Sequence, residues 1–170
     1  MERIFAPWRM AYLKGELPEP REGCIFCWKP AEDQDERNLI IERHEHCFVI
    51  MNLYPYTNSH LMVVPYRHTA DLGELEDAEL LGCQQAIRRV VQVLQQFIRP
   101  QGFNIGMNIG RAGGAGIESH LHWHVVPRWL GDTNFMSVTG DTKVISESIP
   151  EGWQRLREAF GAMPGSPAGV

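Results

Sequence analysis

The segment His120-Leu121-His122-Trp123-His124-Val125-Val126 constrains this chain more than any other. Imidazole and apolar side chains alternate strictly, and a period of two predicts a β-strand over about 120–127. On such a strand the three imidazoles project from one face at intervals of ~6.5–7 Å. Leu121, Trp123 and Val125 then enter the packed face. A second alternating stretch lies upstream, with Phe103, Ile105, Met107 and Ile109 on one face and Asn104, Gly106 and Asn108 on the other. Between the two, Gly110-Arg111-Ala112-Gly113-Gly114-Ala115-Gly116 is rich in glycine. Glycine lets a backbone approach a ligand closely and turn its N–H groups toward an anion.

The remaining elements follow from period and punctuation. Leu39–Arg43, His46–Met51 and His60–Pro65 read as three strands, the last two joined by the turn-rich Tyr54-Pro55-Tyr56-Thr57-Asn58-Ser59. A long helix follows, with Leu80, Leu81, Ile87, Val90, Val91, Leu94, Phe97 and Ile98 on one stripe. Glu74, Glu76, Asp77 and Glu79 crowd its start, where the helix dipole favours negative charge; Arg88, Arg89 and Arg99 lie in its second half, and Pro100 and Gly102 stop it. Glu151–Phe160 predicts a short C-terminal helix. The expected fold class is α+β, with about five strands in a mostly antiparallel sheet, one long helix and a short C-terminal one. Residues 1–22 read as an irregular arm anchored by Phe5, Trp8 and Met10, residues 23–162 as one catalytic domain, and 163–170 as a flexible tail.

Composition narrows the partners. Sixteen basic residues against 21 acidic ones give a net charge of −5, which argues against a nucleic-acid-coating protein. The longest apolar runs are far shorter than the ~20 residues that span a bilayer. The N-terminus is charged and then broken by Pro7, unlike a signal peptide. Four cysteines, Cys24, Cys27, Cys47 and Cys83, are too few for a disulfide scaffold. A reducing, cytoplasmic location is the expectation.

Two chemistries suit three histidines in register. One is a zinc hydrolase, because His-x-His on a strand grips zinc. That reading wants an Asp where His124 stands, and no Asp follows before Asp132. The other is nucleophilic attack by imidazole on phosphorus, with neighbouring histidines and backbone N–H groups holding the phosphoryl oxygens. Cys24-x-x-Cys27 is separately half a zinc site, with several histidines available to complete it. Cys47 and Cys83 read as core residues, and His44 and His46 as surface residues.

His120 through Val126 resembles the His-φ-His-φ-His-φ-φ signature of the histidine triad (HIT) superfamily, φ being apolar. Asn52, His60, the run Leu61-Met62-Val63-Val64-Pro65 and His68 resemble that family's central segment. Phe5-Ala6-Pro7-Trp8-Arg9-Met10, Cys24-Ile25-Phe26-Cys27, Val126-Pro127-Arg128-Trp129 and Gly131-Asp132-Thr133-Asn134-Phe135 look like one bacterial branch, similar to diadenosine tetraphosphate phosphorylases.

The resemblance implies a HIT-like fold and a nucleotidyl transferase or hydrolase of dinucleoside polyphosphates, with an adenine-containing substrate. His122 would attack the α-phosphorus, His124 would contact phosphoryl or bridging oxygens, and His60 would hold its neighbours. Asn52 would bind ribose, and Asn108 is placed to reach the phosphates. Gly114, Ala115, Gly116 and Ser119 would receive an anion. Phe48, Ile50, Met51 and Leu53 are candidate walls for the base, with core packing the competing reading. Several hydrolases of the family carry glutamine four residues before the first triad histidine; Gly116 stands there, which favours inorganic phosphate as acceptor. Relatives with the Cys-x-x-Cys pair imply a structural zinc on Cys24, Cys27, His68 and His120. Family members are usually homodimers built by pairing sheets. The rival readings are a hydrolase of nucleoside phosphoramidates and a nucleotide-binding module with low turnover.

Overall fold

The structure, a computed structural model, describes residues 22–132 and 147–165. The predicted anchor at Phe5, Trp8 and Met10 lies outside the described residues. Helix α1 (Ile25–Ala31) and a single turn, α2 (Asp35–Asn38), lead into strands β1 (Ile40–Arg43), β2 (Cys47–Met51) and β3 (Leu61–Pro65). The long helix α3 (Asp77–Phe97), strands β4 (Gly102–Met107) and β5 (Trp123–Arg128), and helix α4 (Ile149–Ala162) complete the order. The five strands form one sheet in the order β1-β2-β3-β5-β4, each neighbouring pair antiparallel. This is the expected α+β class.

Pleating sorts the sheet residues onto two faces. Cys47, Val49, Met51, Leu61, Val63, Trp123 and Val125 face α3 and α4, where Cys83, Ala86, Val90, Leu94, Leu156 and Phe160 complete the main core. Phe48, Ile50, Met62 and Val64 face the other way and pack beneath Phe26 of α1. Helix α3 begins with a capping box: Glu76 accepts from the backbone of Glu79, and the Glu79 side chain accepts from the Glu76 N–H. Helix α1 is short and contains Pro30, so its place depends on partners. Arg43 supplies them, donating to the carbonyls of Pro30 and Glu32 and to Asp35 at 2.7–3.0 Å.

Several expectations change. The ladder of β5 begins at Trp123, so His120 and His122 lie in the approach to the strand rather than within it. Strand β4 ends at Met107, leaving Asn108 and Ile109 at the loop mouth. Leu81 and Phe97 are exposed, because the α3 stripe runs instead through Cys83, Ala86, Ile87, Val90, Val93 and Leu94. Arg89 is not a solvated dipole partner. It is buried against both carboxylate oxygens of Glu42 and donates to the carbonyls of Phe160 and Pro164, which holds the first residues of the expected tail. His46 is half-buried against α3, where a Cβ on Gly82 would come within 3.2 Å of its ring. His44 is half-buried beside Glu42, 3.0 Å from its carboxylate. Cys47 and Cys83 are core residues as expected; hydrogen bonding to Cys83 and burial push the Cys47 thiol up.

Candidate active site

The sheet face under α1 gathers four histidines. His60 stands just before β3, His124 on β5 opposite Met62, and His120 and His122 in the approach to β5. The His122 and His124 rings meet edge to face with centroids 4.9 Å apart, closer than the rise of a flat strand predicts. His120 and His122 are nearly inaccessible at 1% and 4%, because Phe26 covers both rings at 5.5 and 5.0 Å. His122 therefore lies covered beneath α1 rather than on an open face of the sheet.

Backbone groups assign the imidazole protons. A carbonyl can only accept, so the 2.9 Å contact between His122 Nδ1 and the His120 carbonyl places the proton on Nδ1. Nε2 of His122 is then left with a free lone pair. Burial lowers the His122 pKa, which keeps that lone pair unprotonated at neutral pH. A backbone N–H can only donate, so the Tyr56 N–H at 3.1 Å makes His60 Nδ1 an acceptor. Neutral His60 therefore carries its proton on Nε2 and donates to His124 Nδ1 at 3.0 Å. His124 in turn carries its own proton on Nε2. Its pKa is pushed down to about 4 by burial and by His122. One imidazole thus offers a lone pair, and its neighbour offers an N–H beside it.

Asn52 helps hold this relay. Its amide nitrogen lies 3.3 Å from His60 Nδ1, and its oxygen accepts from the Tyr54 N–H at 2.9 Å. Asn108 sits at the mouth of the glycine-rich loop and lines one cleft with His124. The N–H groups of Gly113, Gly114 and Ala115 are spent inside the loop on the carbonyls of Gly110 and Arg111. Gly116 and Ser119 line a second, smaller pocket with Cys24 and His68. Phe48 and Ile50 are fully buried under Phe26, whereas Met51 points to the opposite face and Leu53 is exposed. Met51 therefore does not share a pocket with Phe48 and Ile50.

Cys24, Cys27, His68 and His120 converge so that their ligand atoms all lie within 4.8 Å of one another. His120 Nδ1 is 3.4 and 3.6 Å from the two sulfurs and 3.2 Å from His68 Nδ1; Cys27 Sγ is 3.3 Å from His68 Nδ1. Tetrahedral zinc bonded to nitrogen at ~2.0 Å and to sulfur at ~2.3 Å separates its ligand atoms by roughly 3.3–3.8 Å. The residues fit the metal. His120 Nε2 donates to the Pro65 carbonyl at 2.9 Å, which turns Nδ1 toward the cluster, as second-shell partners do in zinc sites.

Sequence reasoning missed Phe26 and Tyr56. Phe26 was legible only as the apolar residue inside Cys-x-x-Cys. Tyr56 stacks near His60 and His124 at 4.7 and 5.8 Å, and its signal was a lone aromatic in a turn.

A fold of this topology, carrying this histidine row, defines a class. The chain belongs to the histidine triad family: it matches the HIT domain over residues 33–129. It is 36% identical, over 96% of its length and 87% of the relative's, to the AP-4-A phosphorylase of Mycobacterium tuberculosis. Among solved structures it resembles a Zn-bound histidine triad family protein from Mycobacterium smegmatis, with TM-score 0.64 and 24% identity over 82% of this chain and 94% of that one. A histidine triad nucleotide-binding protein from Sulfolobus tokodaii matches with TM-score 0.62 and 24% identity over 81% and 92%.

Proposed function

We propose that this chain is a nucleotidyl transferase that splits dinucleoside polyphosphates by phosphorolysis, converting diadenosine tetraphosphate and phosphate into ADP and ATP. The observation that carries the reading is the free Nε2 lone pair of His122, set by the hydrogen bond from Nδ1 to the His120 carbonyl. Likeness to an AP-4-A phosphorylase over nearly the whole chain supports the substrate class.

His122 Nε2 forms a bond to the α-phosphorus while the bond from that phosphorus to the bridging oxygen breaks. The electron pair leaves with the departing ATP. His124 Nε2–H donates a hydrogen bond to the charge developing on phosphoryl or bridging oxygen, and His60 holds the ring that does so. An oxygen of inorganic phosphate then attacks the same phosphorus, the N–P bond breaks, and ADP departs. Asn52 binds ribose and Asn108 the phosphates. The phosphate attacks along the line that the departing ATP has vacated beside His124, with the backbone N–H groups of Gly116 and Ser119, in the second pocket, a candidate site to gather it beforehand. The Gly114 and Ala115 N–H groups already have partners, so their part is to shape the loop.

A zinc ion on Cys24, Cys27, His68 and His120 is structural, because four protein ligands leave no position for water. The Zn-bound relative supports that assignment. Strand β4 ends the sheet with its outer edge unpaired among the described residues, which suits a homodimer formed by pairing sheets. Cys47 and Cys83, neighbouring core thiols with no disulfide between them, support a reducing, cytoplasmic location, and no described helix is long and apolar enough to cross a membrane.

The test is incubation of the protein with diadenosine tetraphosphate and isotopically labelled phosphate. Label in the β position of ADP is expected. AMP beside ATP, at a rate independent of phosphate, would move the chain to hydrolysis; no turnover would make it a binding module.

A further inference from the structure

The proposed reaction uses, through His124 and Asn108, only one end of an open cleft of about 640 Å³ on the histidine face of the sheet, a volume usual for a small-molecule site. The cleft begins at His124 and runs over β4 and β5 to Arg128, with Asn104, Asn108 and Tyr56 in its walls. His122 does not line it. Gly106 pairs with His124 across the β4–β5 ladder, and a Cβ there would meet nothing within 4 Å, so the floor beside His124 is open.

Attack at phosphorus needs the leaving oxygen roughly in line with the nucleophile and on the far side of the phosphorus. With the lone pair on His122 and the donor N–H on His124, the departing half of the substrate is directed past His124 and into this cleft. An antiparallel strand rises about 3.4 Å per residue, so Arg128 stands roughly 13–14 Å beyond His124 on the same face.

The far end has its own character. Arg128 Nε and Nη2 donate to the two carboxylate oxygens of Asp132 at 2.5 and 2.9 Å, and Nη1 donates to Asn104 Oδ1 at 2.6 Å. A guanidinium has five N–H donors, so two remain uncommitted among the described residues. The Arg128–Asp132 pair sums to zero charge. That weakens its pull on another phosphate, while the locked fork can still donate to a hydroxyl or a ring nitrogen. Tyr56, 49% exposed, adds an aromatic wall nearer the mouth. Donor, amide and ring at the end of a polyphosphate's path suit a nucleoside.

We propose that this cleft is the subsite of the leaving nucleoside, with the polyphosphate passing His124 and Asn108 and the nucleoside held by Asn104 and Arg128. The proposal rests on the reading of His122 as the acceptor of the first nucleotide. It makes Asn104 and Arg128 specificity residues that separate dinucleoside polyphosphates from mononucleotides with a small leaving group.

The test compares kcat/KM for diadenosine tetraphosphate with kcat/KM for adenosine 5′-phosphoramidate, whose leaving group is too small to enter the cleft. Loss of one or two hydrogen bonds should lower the ratio of the two about tenfold or more in Arg128→Gln and in Asn104→Ala, mainly through KM for the dinucleotide. If Arg128→Gln fails to fold, Asn104→Ala decides. An unchanged ratio in a folded variant overturns the subsite while leaving the reaction standing. A wild type that cleaves the phosphoramidate but not the dinucleotide overturns the substrate reading and the subsite together. A wild type that cleaves neither overturns nucleotidyl transfer itself.

Discussion

At the scale of single residues, two hydrogen bonds to the main chain decide the chemistry. The His120 carbonyl selects the tautomer of His122, and the Tyr56 N–H selects that of His60 and, through it, of His124. The three triad histidines were legible from their period-two spacing alone. Their division of labour was not, because it depends on which neighbour each ring meets: Cys24, Cys27 and His68 for His120, the His120 carbonyl for His122, and His60 for His124. A pH dependence follows from His124. Its pKa is lowered from 6.5 to about 4 by burial, then by His122, so the unfolded chain takes up a proton that the folded protein refuses. The stability held by a neutral His124 is complete above about pH 6.5 and is lost as pH falls toward 4. Denaturant midpoints measured from pH 7 to pH 4.5 should fall more steeply for the wild type than for His124→Gln. Equal slopes would show that His124 does not titrate in this way.

At the scale of elements, the connection between β2 and β3 matters more than its turn-rich composition suggests. It carries Asn52, Tyr56, Thr57 and His60, and the fold pins it at separate points. Thr57 Oγ donates to the Pro127 carbonyl at 2.9 Å. Ser59, buried and at φ 61, accepts from Arg155 of α4 at 2.9 Å, and Glu147 holds Arg155 from the other side at 2.6 Å. A non-glycine residue at positive φ persists only when its surroundings over-determine it. Arg155 is therefore a positioning residue for the neighbouring His60. Removing a hydrogen bond to a charged group costs about 1.5–3 kcal/mol, so Arg155→Ala should lower kcat roughly tenfold with KM little changed and should partly recover in Arg155→Lys. A wild-type kcat in Arg155→Ala would mean that Asn52 and Tyr56 alone hold His60. None of this was visible in the sequence, where Ser59 and Arg155 are far apart and fit no local pattern. Helix α1 was missed for the same reason: seven residues containing Pro30 show no period, and only packing on Phe48, Ile50 and Met62 makes them a helix over the site. The long α3 and the alternating β4 were readable as elements because their apolar period is local, but their buried faces were not, since Leu81, Phe97 and Ile105 are exposed.

At the scale of the whole molecule, the Cys24–Cys27–His68–His120 cluster joins α1, the segment after β3 and the approach to β5. A zinc ion there would clamp Phe26 over His120 and His122 and so fix the nucleophile. Metal analysis should find one zinc per chain in the wild type and none in Cys24→Ser. Chelation should lower the melting temperature, with activity falling only as folded protein is lost. Full zinc in Cys24→Ser would remove the site. Arg89 and Glu42 form a second tie, which links α3, β1 and α4. The central claim concerns the histidine face of the sheet: nucleotide transfer through His122. The most direct measurement is mass spectrometry of the protein quenched during turnover of diadenosine tetraphosphate without phosphate, at a pH where N–P bonds survive. The account predicts an adenylyl adduct on the peptide that contains His122, absent in His122→Ala and discharged as ADP when phosphate is added. Turnover with no adduct on that peptide and with inverted configuration at the α-phosphorus, or undiminished turnover by a folded His122→Ala, would contradict it.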